Sequence, residues 1–155
     1  MPAVEPDLPP AGDVAGAPSP LALALGHAGL LPFVAGAALV WLVQGEALPF
    51  AAQALSAYAA LIVSFLGGIH WGLALRQPKP AVPLLAWGVA PSLLAWAAVM
   101  MPASSGLVLS GALLLLCWAV DRVLYRREGV SAWLTLRFRL SAVAAASCFI
   151  AAAGI

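Results

Sequence analysis

The polar side chains that could do chemistry in this sequence lie at the ends of long apolar stretches. They are two histidines, one aspartate and two arginines: His27, His70, Asp121, Arg137 and Arg139. An ionised side chain at membrane depth is expensive unless it is paired or hydrated. The aspartate and the arginines are therefore the first candidates for a binding site or a buried ion pair.

Asp121 has three interpretations that the residues leave open: the hydrated end of an apolar helix, one half of a structural ion pair, or a chemical role. Its neighbour Arg122 points about 100° away around a helix, so an arginine from the next helix is the better partner. Arg137 and Arg139 are separated by about 200°, so we expect one to face inward and the other to reach the lipid headgroups. The candidate ligand-binding cluster is His70, Asp121, Arg137 and Arg139.

Signals for an enzyme, a metal or a cofactor are missing. The chain has only two histidines and two cysteines, with no His-x-x-x-His or Cys-x-x-Cys spacing, so no metal site is predicted. It also lacks a P-loop, a dinucleotide fingerprint and a nucleophile elbow. A net charge of +1 without a basic stripe argues against nucleic acid. We assign no catalytic residue and no cofactor.

Composition indicates a membrane protein. Of the 155 residues, 64% are hydrophobic and 8% are charged, against about 25% charged residues in an average soluble domain. A soluble domain of this size could not bury so much apolar surface. The lipid bilayer is the solvent that suits it, and an all-α fold follows because helices satisfy their own backbone groups there.

About five transmembrane helices with short loops are predicted, in one domain over 21–155. Their approximate bounds are 24–43, 50–75, 82–101, 106–124 and 134–154. The last stretch is rich in alanine, which leaves a four-span alternative with a peripheral C-terminal helix. Pro32 and Pro91 are expected to kink the first and third spans. Residues 1–20 are acidic and proline-rich without a basic residue, which predicts a disordered tail and no signal peptide.

The basic residues predict the orientation. All seven fall in the loop after the second span or between the fourth span and the start of the fifth. By the positive-inside rule these loops and the N-terminus face the cytoplasm and the C-terminus faces the periplasm, or the corresponding sides of a mitochondrial membrane.

A stripe of small residues lies near the end of the second span. Ser64, Gly68 and Gly72 recur every four residues, which is typical of a helix-packing seam. The seam could serve packing within the chain or contact with a partner helix.

Several short stretches together resemble a known family. They are GHAGLLPF over 26–33, SFLGGIHWG over 64–72, PSLLAW over 91–96, and Asp121-Arg122. With the order and lengths of the spans, this pattern resembles the bacterial membrane family known as domain of unknown function 3429, which has mitochondrial relatives. The resemblance implies a multi-span protein of the bacterial inner membrane and brings no active site with it.

Three functions fit these features to different degrees. The seam and the short loops favour a non-enzymatic protein that binds a membrane partner, forms a homo-oligomer or assists assembly. The alternative is a site for an anionic lipid headgroup or a quinone at the cytoplasmic interface, formed around His70 and Asp121. A small transporter fits less well, because the middle of the spans offers few polar groups and five spans do not divide into equal halves.

Overall fold

The computed structural model describes residues 16–155, and this part of the chain is a helical bundle without strands. Five helical segments are long and apolar enough to cross a membrane: Pro20–Leu42, Ala47–Ala74, Val82–Met100, Ala103–Arg127 and Ser131–Ala152. The predicted all-α fold with five spans is confirmed. The predicted tail falls mostly on residues 1–15, which lie outside the described residues.

The first span is divided into two helices, α1 (Pro20–Ala28) and α2 (Leu31–Leu42). Pro32 explains the break, because its ring would clash with the carbonyl group of Ala28, four residues earlier. The Tyr58 hydroxyl donates to the carbonyl oxygen of Gly29 over 2.9 Å. A neighbouring helix thus satisfies one of the backbone groups at the break.

The second span, α3 (Ala47–Ala74), is the centre of the bundle and packs against α2, α5 and α4 (Val82–Met100). Small residues set its closest approach to α4. A Cβ atom on Gly67 would lie 2.7 Å from the carbonyl oxygen of Gly88. The absence of a side chain at Gly67 therefore lets the two helices touch there. The helix α4 continues through Pro91 without interruption.

The fourth and fifth spans, α5 (Ala103–Arg127) and α6 (Leu134–Ala152), form an antiparallel pair. Gly129 ends α5 with a φ of 73°, a left-handed conformation that glycine adopts without strain. The N–H group of Val130 then bonds the carbonyl oxygen of Tyr125 over 2.9 Å. A short 3₁₀ turn at Ser131–Trp133 leads into α6. This reversal brings the first turn of α6 beside the last turns of α5.

Two of the three residues of the predicted seam, Gly68 and Gly72, do not pack within the chain. A Cβ atom on Gly68 or Gly72 would meet nothing within 4 Å, whereas the preceding residue Gly67 makes the close contact with α4. Ser64 does reach α4, where its hydroxyl lies 2.8 Å from that of Ser92. The face of α3 that turns into the bundle is the one with the larger side chains of Val63, Leu66 and His70, which are buried. As a face for a partner helix, the seam stays a prediction.

Candidate functional site

A charged cluster is buried where α3, α5 and α6 meet. The carboxylate oxygen Oδ2 of Asp121 accepts two hydrogen bonds from Arg137, one of them from Nε over 2.9 Å. The other oxygen, Oδ1, lies 3.2 Å from Nε2 of His70. All three side chains are buried, with Asp121 fully enclosed by protein. A side chain at the hydrated end of a span would be exposed, so that interpretation of Asp121 is wrong.

The contact between His70 and Asp121 is close but incomplete. Its distance is that of an ion pair, yet the atoms are not aligned for a hydrogen bond, and neither Nε2 nor Oδ1 has another partner. The second ring nitrogen of His70, Nδ1, lies 3.2 Å from the carbonyl oxygen of Leu66. A buried polar atom without a partner costs about 1–3 kcal/mol. The facing Nε2 and Oδ1 atoms therefore make this arrangement of the cluster costly in free energy.

The antiparallel order of the helices assembles this cluster at one end of the bundle. His70 lies in the last turns of α3, Asp121 in the last turns of α5 and Arg137 in the first turn of α6. At the same end, the Gln77 side chain donates to Glu128, which links the segment after α3 to the end of α5.

Arg139 is not part of the cluster. It is exposed on α6, while Arg137 is 8% exposed. Rotation of about 200° along the helix separates them. His27 is also exposed, and its Nδ1 atom lies 2.7 Å from the carbonyl oxygen of Leu23 within α1. Of the four predicted binding residues, the structure brings together His70, Asp121 and Arg137.

A cleft borders the cluster between α1, α3 and α6. Its outer part has a volume of about 600 Å³ and is lined by Ala22, Leu25, Gly26, Phe65, Ile69, Leu73, Arg76, Tyr125, Val130, Trp133, Leu136, Arg137 and Leu140. A smaller cavity of about 220 Å³ adjoins it and shares Leu25, Gly26, Phe65, Arg137 and Leu140. The linings are mostly apolar and, among the described residues, contain no acidic side chain. We call this space the α1–α3–α6 cleft.

Arg137 connects the cleft with the cluster, since it lines both cavities and bonds Asp121. Sequence reasoning missed three further polar lining residues, Arg76, Tyr125 and Ser141. Tyr125 follows Asp121 by four residues and so shares its face of α5, a signal that was available. No sequence signal indicated that α1 lines the cleft, because the position of α1 depends on the direction of the break before Pro32.

No grouping of three or more metal-ligating side chains occurs over residues 16–155. The two cysteines, Cys117 and Cys148, are buried and unpaired. The residues of the cluster suit a proton or an anion near Arg137 better than a metal ion, because a single carboxylate and a single imidazole provide too few ligands.

The chain matches a known protein family over most of its length. The family model described as Protein of unknown function (DUF3429) matches residues 18–153, nearly the whole described chain. The chain belongs to this family. The resemblance seen in the sequence is confirmed.

Two vertebrate relatives add the membrane location. Transmembrane protein 69 of Xenopus tropicalis is 48% identical over 87 residues, which cover 54% of this chain and 34% of the relative. Transmembrane protein 69 of Mus musculus is 39% identical over 82 residues, covering 51% of this chain and 33% of the relative. The matches thus span about a third of these relatives. No solved structure matches the chain. With its apolar helices, the chain is a transmembrane protein.

Proposed function

We propose that this protein binds an anionic amphiphile, a lipid with a phosphate or carboxylate head, in the α1–α3–α6 cleft. The observation that supports this most is the position of Arg137, a buried guanidinium that lines an otherwise largely apolar cleft. A guanidinium carries five N–H donors. Two of them bond Asp121 and a third can bond the neighbouring Tyr125 hydroxyl, which leaves two for a ligand.

The other lining residues suit the same ligand. Arg76 adds a second cation at the outer part of the cleft, and Trp133 supplies an indole of the kind that lies at headgroup level. The apolar lining residues would contact the acyl chains. Because the cleft lies between membrane-spanning helices, a lipid can enter it sideways from the bilayer.

The looseness of α1 supports such an entry. None of its residues is buried, and it packs chiefly against α6, where Gly26 faces Leu140. A helix with so few buried contacts opens at little cost in free energy. The break at Gly29 separates it from the firmly packed α2.

A quinone is the competing ligand, since its carbonyl oxygen could also accept from Arg137. The lining favours an anion instead, because Arg76 lies on it and makes no salt bridge with the described residues, whereas the charge of Arg137 is balanced by Asp121. The two ligands differ in charge and mass, so one experiment distinguishes them.

Native mass spectrometry of protein extracted with its own lipids tests the proposal. We expect retained anionic lipid in the wild type and in Arg139→Gln, which removes a nearby exposed charge on the same helix. The double variant Asp121→Asn with Arg137→Gln removes the buried ion pair without leaving a lone charge, and it should lose the lipid. Equal retention in all three proteins would refute the site. A retained neutral quinone would replace the lipid as its ligand.

A second candidate is binding of a partner helix or a second copy at the seam. Gly68 and Gly72 are exposed with open space above them, so a helix from another chain could approach closely. Gly68→Leu should then abolish a co-purifying partner or dimer, while leaving the chain inserted. An unchanged assembly would remove this candidate.

We also propose that the membrane is the bacterial inner membrane, with the cluster's end and the N-terminus cytoplasmic and the C-terminus periplasmic. The support is the grouping of Arg76, Lys79 and the arginines from Arg122 to Arg139 around one end. Reporter fusions at the C-terminus and after Lys79 should report opposite sides. The same side for both would contradict this topology.

A further inference from the structure

His70 lies between two hydrogen-bond acceptors. Its Nδ1 atom is 3.2 Å from the carbonyl oxygen of Leu66, and its Nε2 atom is 3.2 Å from Oδ1 of Asp121. A neutral imidazole carries one N–H group and one lone pair. If the N–H group serves Leu66, the lone pair of Nε2 faces a carboxylate oxygen, and two acceptors confront each other in a buried site.

We propose that His70 takes up a proton from the aqueous phase at its Nε2 atom, and that this proton is coupled to the binding of the anion in the neighbouring cleft. The imidazolium form has two N–H groups, so it can donate to Leu66 and, after a small rotation of the ring, to Asp121. Both unpartnered atoms would then be satisfied. The proton site is argued from this geometry alone, and the coupling rests on the proposed function.

The charges around His70 give the sign of the coupling. Asp121 and Arg137 face it from α5 and α6, and the Tyr125 ring on α5 has its centroid 6.0 Å away. The helices α3 and α4 contain no aspartate, glutamate, lysine or arginine, so they add no charge beside His70. With a neutral imidazole the cluster has no net charge, and protonation gives it one positive charge.

A buried net charge is unfavourable in a membrane protein unless a counter-charge lies nearby. An anionic headgroup on the free side of Arg137 provides that counter-charge. The protonated cluster therefore favours the occupied cleft and the neutral cluster favours the empty one. By linkage, each event favours the other to the same extent.

Nitrogen NMR of histidine-labelled protein tests the proton site without any ligand assay. His27 is the second histidine and is exposed, so it serves as an internal control, and His27→Gln assigns the two signals. At neutral pH we expect both ring nitrogens of His70 to carry a proton, because each of them faces a hydrogen-bond acceptor. Asp121→Asn should make His70 neutral without changing His27. A neutral His70 in the wild type would overturn the proton site.

Binding of phosphatidylglycerol in nanodiscs, measured from about pH 6 to about pH 8.5, tests the coupling. This lipid keeps one negative charge over that range, so the pH dependence belongs to the protein. Affinity should fall as the pH rises, by at most about tenfold per pH unit, the limit for uptake of one proton. His70→Asn, which keeps a side-chain donor, should bind without pH dependence.

The outcomes separate the two proposals. Saturable binding that is equally strong at every pH in the wild type would overturn the coupling and leave the lipid site intact. No saturable binding at any pH would overturn both the lipid site and the coupling. The NMR result on His70 decides the proton site in either case.

Discussion

The two ends of the bundle differ in what lies between the helices. Where α4 passes into α5, the backbones of the two helices are in close contact. At the opposite end, charged side chains lie between the helices. A Cβ atom on Gly106 would lie 2.5 Å from the carbonyl oxygen of Ala98. At the other end, Asp121, Arg137 and His70 lie between α3, α5 and α6. The same antiparallel bundle thus has one tightly packed end and one polar end.

The tightly packed end gains its stability from close contact. Glycine lets α4 and α5 approach, and the Trp41 indole donates to the carbonyl oxygen of Ile150 over 3.0 Å, which ties α2 to α6. In a membrane such packing and interhelical hydrogen bonds drive helix association, because lipid is as apolar as the side chains.

The polar end is a poor arrangement for stability alone. A buried ion pair often contributes less than well-packed apolar residues of the same volume would. Here it is also incomplete, with unpartnered atoms on His70 and Asp121, and it borders a cleft. This end therefore gains less stability from packing than the other end does, which fits the proposed binding of an anionic lipid there.

The largest expected effect comes from dividing the buried pair. Arg137→Ala should lower the free energy of unfolding by about 3–5 kcal/mol, because the carboxylate of Asp121 would remain buried without a counter-charge. Denaturant unfolding in detergent measures it. Arg139→Ala, two residues along the same helix but exposed, should change the value by less than about 0.5 kcal/mol. A similar loss of unfolding free energy in the two variants would contradict this, because it would mean that water reaches the Asp121–Arg137 pair.

Gly106 and Gly68 test the tightly packed end against an open surface. Gly106→Ala should cost about 1–3 kcal/mol, because the methyl group would contact the backbone of Ala98. Gly68→Ala adds the same methyl group where nothing lies within 4 Å, and alanine is the better helix former. It should be neutral or slightly stabilising in the same unfolding experiment. A loss at Gly68 as large as that at Gly106 would mean that a partner covers the seam.

The sequence predicted the all-α fold and the number of long apolar helices, because length and hydropathy are read directly from the sequence. It also predicted His70, Asp121 and an arginine at one depth, because helices alternate in direction across a bilayer. It could not choose between Arg137 and Arg139, and it placed the packing seam on Gly68, whereas Gly67 makes the close contact with α4. Those choices depend on how each helix is rotated about its axis, which side-chain packing decides.

The cleft was beyond sequence reasoning for a related reason. One wall of the cleft is formed by α1, whose position depends on the break between α1 and α2. Pro32 predicts a break in the first span but not its direction. Arg76 and Tyr125 could then be recognised as lining residues only once the position of α1 was known.

Tyr58 offers the smallest and most local test, because it supports the break between the loose α1 and the packed α2. Tyr58→Phe removes the bond to Gly29 and keeps the ring, which packs against Phe33 at a centroid distance of 5.1 Å. We expect a loss of about 0.5–1.5 kcal/mol in unfolding free energy. Amide hydrogen exchange should rise in α1 and stay unchanged at the tightly packed end.

Phe33→Leu is the matched control for this bond. It weakens the ring contact and leaves the Tyr58 hydroxyl in place, so unfolding free energy should fall while exchange in α1 stays near that of the wild type. If the two variants instead raise exchange equally throughout the bundle, the break is not held by the Tyr58 hydroxyl. In that case α1 would open only together with α2, and α1 could not open the cleft independently.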